Sequence, residues 1–132
     1  MGIYMILKNK GGYKMADIKF DNQDEFTPED LKSIIPNLKN YHEAIFNDVG
    51  HMIGTKKAFR RERIFPVNLN NGNHLFLKIF FKKDLGVVSD TELNYSIVTK
   101  SSNILLSFFS KYMEPDDLVD DLNSVTDFLA NI

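Results

Sequence analysis

Residues 63–81 read RIFPVNL-NNGN-HLFLKIFF: two strand-like apolar runs on either side of Asn70-Asn71-Gly72-Asn73. Asn-Gly between such runs marks a β-hairpin, because both residues tolerate the positive φ angles that tight turns require. A two-residue loop places Pro66 at a hydrogen-bonded site opposite Leu77, where its missing N–H breaks the ladder. A four-residue loop, Asn70 to Asn73, moves Pro66 to a non-bonded site on an edge strand, and this version is favoured. Either loop sets Leu69 opposite His74, Val67 opposite Phe76, Phe65 opposite Lys78 and Arg63 opposite Phe80. One face then carries Ile64, Pro66, Leu75, Leu77, Ile79 and Phe81, a plain core face. The other interleaves Phe65, Val67, Phe76 and Phe80 with Arg61, Arg63, Lys78 and Lys82.

Working outward, Glu92 to Thr99 alternates as a third strand, although Ser89 with Glu92 would also suit a helix capping box. Ser101, Ser102 or Asn103 can cap a helix that runs through Met113. Pro115-Asp116-Asp117 opens a last helix with Leu118, Val119, Leu122, Val125, Phe128 and Leu129 on one face and Asp116, Asp117, Asp120 and Asp127 on the other. Upstream, Thr27-Pro28-Glu29-Asp30 is a helix start: a capping side chain, a proline for the first turn, and acids for the positive dipole end. Leu31, Ile34, Ile35, Leu38, His42, Ile45, Val49, Met52 and Ile53 follow at helical spacing, with a kink or restart expected at Pro36 and a stop at Gly54. The expected fold is therefore α+β: an N-terminal kinked helix, a three-stranded antiparallel meander, and two C-terminal helices packed on the sheet.

The length of 132 residues fits one domain, and 43% hydrophobic residues supply a core. Lys10-Gly11-Gly12 can be encoded by a purine-rich stretch that pairs with bacterial ribosomal RNA, with Met15 a suitable distance beyond. Residues 1–14 are accordingly expected to be translated leader or a disordered terminus, and 15–132 the domain. The alternative is a short strand over Ile3-Tyr4-Met5-Ile6-Leu7. Thirteen lysines against three arginines suggest an AT-rich genome, such as a low-GC bacterium, its phage or another mobile element. The absence of cysteine excludes disulfides and thiolate chemistry and fits a reducing cytoplasm. No apolar run reaches the roughly 20 residues of a membrane helix, so no membrane partner is expected.

Chemistry is hard to find. His42 and His51 lie nine positions apart, on opposite sides of a helix, and no acid completes a metal spacing. No phosphate-binding glycine loop and no nucleophile–base pair stands out. No catalytic residue, metal site or cofactor is expected.

Charge is strongly segregated. Residues 55–83 hold eight cations and one acid, +7, which leaves −9 elsewhere in a chain of net −2. All three arginines fall within Arg60-Arg61-Glu62-Arg63. The candidate binding surface is Arg60, Arg61, Arg63, Phe76, Lys78, Phe80, Lys82 and Lys83. Aromatic platforms among cations are how sheets bind single-stranded nucleic acid. The favoured expectation for this face, however, is that the terminal helices cover the aromatics and the acidic helix supplies counter-charge. The leading expectation is a small non-enzymatic accessory protein that binds another protein, self-association through the hairpin edge included. The alternative is a nucleic-acid binder using residues 56–83.

Overall fold

A computed structural model describes residues 2–9, 12–19, 26–85, 90–114 and 117–131, with backbone only for 2–9, 12–19, 90, 112 and 113. In chain order the elements are β1 (Gly2–Asn9), β2 (Gly12–Lys19), α1 (Pro28–Ser33), α2 (Ile35–Gly54), β3 (Phe59–Asn68), β4 (His74–Asp84), β5 (Asp90–Thr99), β6 (Ile104–Met113) and α3 (Asp117–Ala130). The strands form one antiparallel sheet in the order β1-β2-β6-β5-β4-β3. The class is α+β, but a four-stranded meander, β3 to β6, replaces the expected three strands, and the β1–β2 hairpin extends it beside β6. The strand alternative at Ile3–Leu7 coincides with β1. The expected translation start, Met15, falls within β2.

Two local misreadings explain the difference. The first is β6, expected to be a helix. Its apolar run is short, and Ile104 and Phe109 stand on the opposite side of the sheet from Leu106 and Phe108 while polar Ser110 is buried beside those two, so the apolar residues lose the alternation that betrays strands. Ser101, Ser102 and Asn103 cap no helix. They belong to a turn in which Thr99 N–H donates to the Asn103 carbonyl at 2.9 Å and Ser102 N–H to the Thr99 carbonyl at 2.9 Å, with Ser102 at φ +68°. Among the described residues one C-terminal helix, α3, results.

The second is the length of the β3–β4 loop. Leu69 N–H donates to the Asn73 carbonyl at 2.9 Å and Gly72 N–H to the Leu69 carbonyl at 3.1 Å, with Gly72 at φ +86°. This is the three-residue loop whose last residue is left-handed, and the β5–β6 turn repeats it. An odd loop slips the register by one residue from the even loops expected, which moves every β3 side chain to the opposite face relative to β4. Val67 thus pairs with Leu75, Phe65 with Leu77, Arg63 with Ile79 and Arg61 with Phe81. Pro66 pairs with Phe76 on β3, the last strand of the order, where a missing N–H is tolerated.

All helices pack on one face. Leu75, Leu77, Ile79 and Phe81 of β4, Leu93, Tyr95 and Ile97 of β5, and Leu106 and Phe108 of β6 are buried there against Leu38, Ile45, Val49 and Met52 of α2 and Leu118, Leu122, Val125 and Leu129 of α3. The long helical stripe breaks where expected: α1 ends at Ser33 and α2 restarts with Pro36 in its first turn. Thr27 and Asp30 form a reciprocal capping box at the start of α1. Ile53, assigned to the stripe, is 52% exposed at the end of α2, and Val119 is exposed on α3.

Candidate interaction surface

The opposite face of the sheet has no helix over it among the described residues, and its composition reads off the register. From one end to the other, the cross-strand rows are Pro66–Phe76–Val98–Ile104, then Ile64–Lys78–Ser96–Ser107, then Glu62–Phe80–Asn94–Phe109, then Arg60–Lys82–Glu92–Lys111. The surface therefore grades from an apolar row to a charged row over the width of four strands. Phe76 and Phe80 are half-buried by their strand neighbours, whereas Ile64 is 53% and Ile104 51% exposed. Two irregularities in β6, where Leu105 and Tyr112 are skipped in the pairing, accompany the ends of these rows.

The eight candidate residues divide between the two faces. Arg60, Phe76, Lys78, Phe80 and Lys82 share the uncovered face; Arg61, Arg63 and Lys83 stand on the helix side. Each member of the second set is spoken for. Arg63 donates Nε to Asp48 Oδ2 at 2.7 Å and Nη2 to Asp48 Oδ1 at 2.9 Å, a two-pronged grip that a planar guanidinium suits. Arg61 Nε lies 3.9 Å from the same carboxylate and its guanidinium carbon 5.5 Å from the centre of the Phe59 ring. The Arg63 hydrogen bond, ahead of the burial that opposes it, holds the Asp48 carboxyl below its usual range. Lys83 donates to the carbonyls of Met52 at 2.7 Å and Thr55 at 2.6 Å, a cation at the C-terminal end of α2 where the dipole is negative.

On the uncovered face Lys82 bonds Asp84 at 2.9 Å and lies 3.7 Å from Glu92. Arg60 sits over the Phe80 ring at 5.8 Å. The expected interleaving of Phe65 and Val67 with these cations does not occur. Both have moved to the core side, where Phe65 stacks on Tyr41 with ring centres 4.7 Å apart and Tyr41 donates its hydroxyl to the Pro66 carbonyl at 2.9 Å. Nor do the helices cover Phe76 and Phe80, the arrangement favoured from the sequence.

The buried polar residues were only partly foreseeable. His42 lies on the apolar stripe of α2 and meets Tyr95 of β5: Nε2 and the hydroxyl are 2.7 Å apart and the rings meet edge-on. Burial lowers the His42 pKa from 6.5 to about 4 and raises that of the Tyr95 phenol. Asp48 lies among Ile45, Val49 and Met52, and an acid inside an apolar stripe was its available signal. Among the described residues no three histidine, aspartate or glutamate side chains gather to hold a metal ion. No helix among them is long and apolar enough to cross a membrane. Comparison of the chain with protein-family models, curated proteins and solved structures gives no match.

Proposed function

We propose that this is a small non-enzymatic accessory protein that acts by binding another protein through the uncovered face of its sheet, beside the β3 edge. The observation that carries this reading is the pair Ile64 and Ile104. Both are more than half exposed, on a face that also carries the half-buried Phe76 and Phe80 and that no helix covers among the described residues. Exposed apolar side chains on a sheet face that grades into a charged margin suit a docking surface.

Internal use of the cations argues against nucleic acid. Phosphate binding depends on several lysines and arginines free to neutralise the backbone. Here Arg61 and Arg63 face Asp48, Lys82 faces Asp84 and Glu92, and Lys83 faces helix carbonyls. Pairing of two copies through antiparallel β3 edges gains nothing from charge, since a register centred on Arg60-Arg61-Glu62-Arg63 sets Arg60 against Arg63 and Arg61 against Glu62. The proposed partner is a different protein, and self-association through the β3 edge is the other protein-binding arrangement. A cytoplasmic role in a low-GC bacterium or its mobile elements completes the proposal, resting on the lack of cysteine and the excess of lysine over arginine.

The test compares wild type with Ile64→Asp and Ile104→Asp in capture from a host lysate. Each substitution should cost no more than about 1 kcal/mol of stability, because both sites are exposed, yet should abolish the captured partner. Capture unchanged by both would refute the assigned surface. Salt-sensitive binding of a mixed DNA and RNA pool at ~0.15 M salt, weakened by Arg60→Ala and Lys78→Ala, would instead establish the nucleic-acid reading.

A further inference from the structure

Helices α2 and α3 leave between them, on the side of the protein away from the uncovered sheet face, a cleft of about 390 Å³. That volume lies within the range of small-molecule sites, and its make-up is of the same kind: mostly apolar, with a few placed polar groups. Ile35, Pro36 and Phe46 supply the apolar lining from α2. His42, 3% exposed, lines it from within, while Lys39 and Asn123 are exposed and mark its mouth.

Three features restrict what would fit. Lys39 is the one charged side chain among the described residues lining the cleft; Asp120 and Asp127 belong to the same α3 but line none of it. The mouth therefore favours an anion. The interior favours an uncharged group, because an ion moved there would lose hydration with no opposite charge to repay it. Finally, the His42 ring is fixed through Nε2 by the Tyr95 hydroxyl, and burial keeps it uncharged at neutral pH. It therefore contributes a rigid, polarisable wall and adds no second cation.

We propose that the α2–α3 cleft binds a small amphipathic organic anion, an aryl or alkyl carboxylate or sulfonate, with its apolar body against Ile35, Pro36 and Phe46 and its charged end at Lys39. This site is independent of the protein-binding face: it lies on the other side of the sheet and shares no residue with it.

The test uses two fluorescent probes, 8-anilinonaphthalene-1-sulfonate and its uncharged counterpart N-phenyl-1-naphthylamine, titrated into the folded protein at neutral pH. The sulfonate should bind saturably at one site and raise the melting temperature, as a ligand of the native state must. It should bind at least about tenfold more tightly than the uncharged probe, a difference of ~1.4 kcal/mol that Lys39→Ala should erase. Thr126→Trp, which places an indole in the cleft, should abolish binding; Asn123→Trp, at the exposed mouth, provides the same block with less risk to folding. Ile64→Asp, on the far face, should leave binding unchanged. Absence of saturable binding would overturn the proposal, as would wild-type affinity in both tryptophan variants or loss of binding in Ile64→Asp.

Discussion

Arg63 of β3 holds both carboxylate oxygens of Asp48 of α2, at 2.7 and 2.9 Å, and so pins the edge strand to the helix layer. The two ends of this pair differ. Asp48 is buried, whereas the Arg63 side chain is 40% exposed.

Arg63→Ala should therefore be the more damaging change. It leaves a buried carboxylate with Arg61 at 3.9 Å as its remaining cation, at a cost of about 2–4 kcal/mol. Asp48→Asn keeps the volume and leaves a guanidinium that water can reach, at about 1–2 kcal/mol. Urea denaturation at pH 7 measures both, and a larger loss for Asp48→Asn would contradict the burial asymmetry. Because the Asp48 pKa is depressed below 3.8 in the folded state, the pair's contribution is present above that pH. It disappears as pH falls below it, so wild type and both variants should converge in strong acid.

His42 sets a second, higher window. Its folded pKa of about 4 lies below the ordinary 6.5, so the unfolded chain binds the extra proton first. The associated stability is complete above pH 6.5 and is lost as pH falls toward 4, by roughly 3 kcal/mol in all. His42→Gln should lower stability at pH 7 by stranding the Tyr95 hydroxyl, but should flatten the dependence between pH 6.5 and 4. An unchanged slope in the variant would mean that another group titrates there.

The two matching turns predict opposite responses. Ser102 adopts φ +68° without being glycine, a conformation that strains an L side chain, so Ser102→Gly should stabilise by about 0.5–1 kcal/mol. Gly72 at φ +86° has open space around it. Gly72→Ala should then destabilise by about 1 kcal/mol through backbone strain alone. Thermal melts of the two variants give the signs directly; two shifts in the same direction would contradict the shared geometry.

On α3, Leu122 is fully buried and Asp120 exposed. Leu122→Ala should cost about 2–5 kcal/mol and Asp120→Ala less than about 0.5 kcal/mol. Comparable losses would require α3 to be rotated about its axis.

What the chain disclosed in advance, and what it hid, follows the range of each signal. Local chemistry was legible: Thr27 caps α1, Pro36 restarts the helix, and Asn71-Gly72 turns the hairpin. Periodicity served wherever polar and apolar residues sort cleanly to the two sides, as in α2 and α3, and failed for β6, which puts apolar Ile104 and Phe109 on the uncovered face and polar Ser110 on the buried one. The candidate surface was misassembled for a subtler reason. Arg60, Phe76, Lys78, Phe80 and Lys82 do share a face, but Arg61 and Arg63 do not join them, because one residue of loop length decides the side of the sheet on which β3 puts its odd-numbered positions. No propensity scale distinguishes a loop of three from a loop of four in Asn70-Asn71-Gly72-Asn73. The decision comes from afar, in the salt bridge to Asp48 and in the stacking of Phe65 on Tyr41.

The same loop limits how the gene can drift. Surface turns ordinarily accept insertions with little penalty. Between Leu69 and Asn73 a single added codon, unless a bulge absorbs it, would turn β3 inside out, exposing Phe65 and Val67 and driving Ile64 and Glu62 toward the helices. Two added codons would restore the original sides at the cost of a longer turn. Length variation here should therefore be inherited in even steps, and a library of loop insertions selected for folding should recover that rhythm.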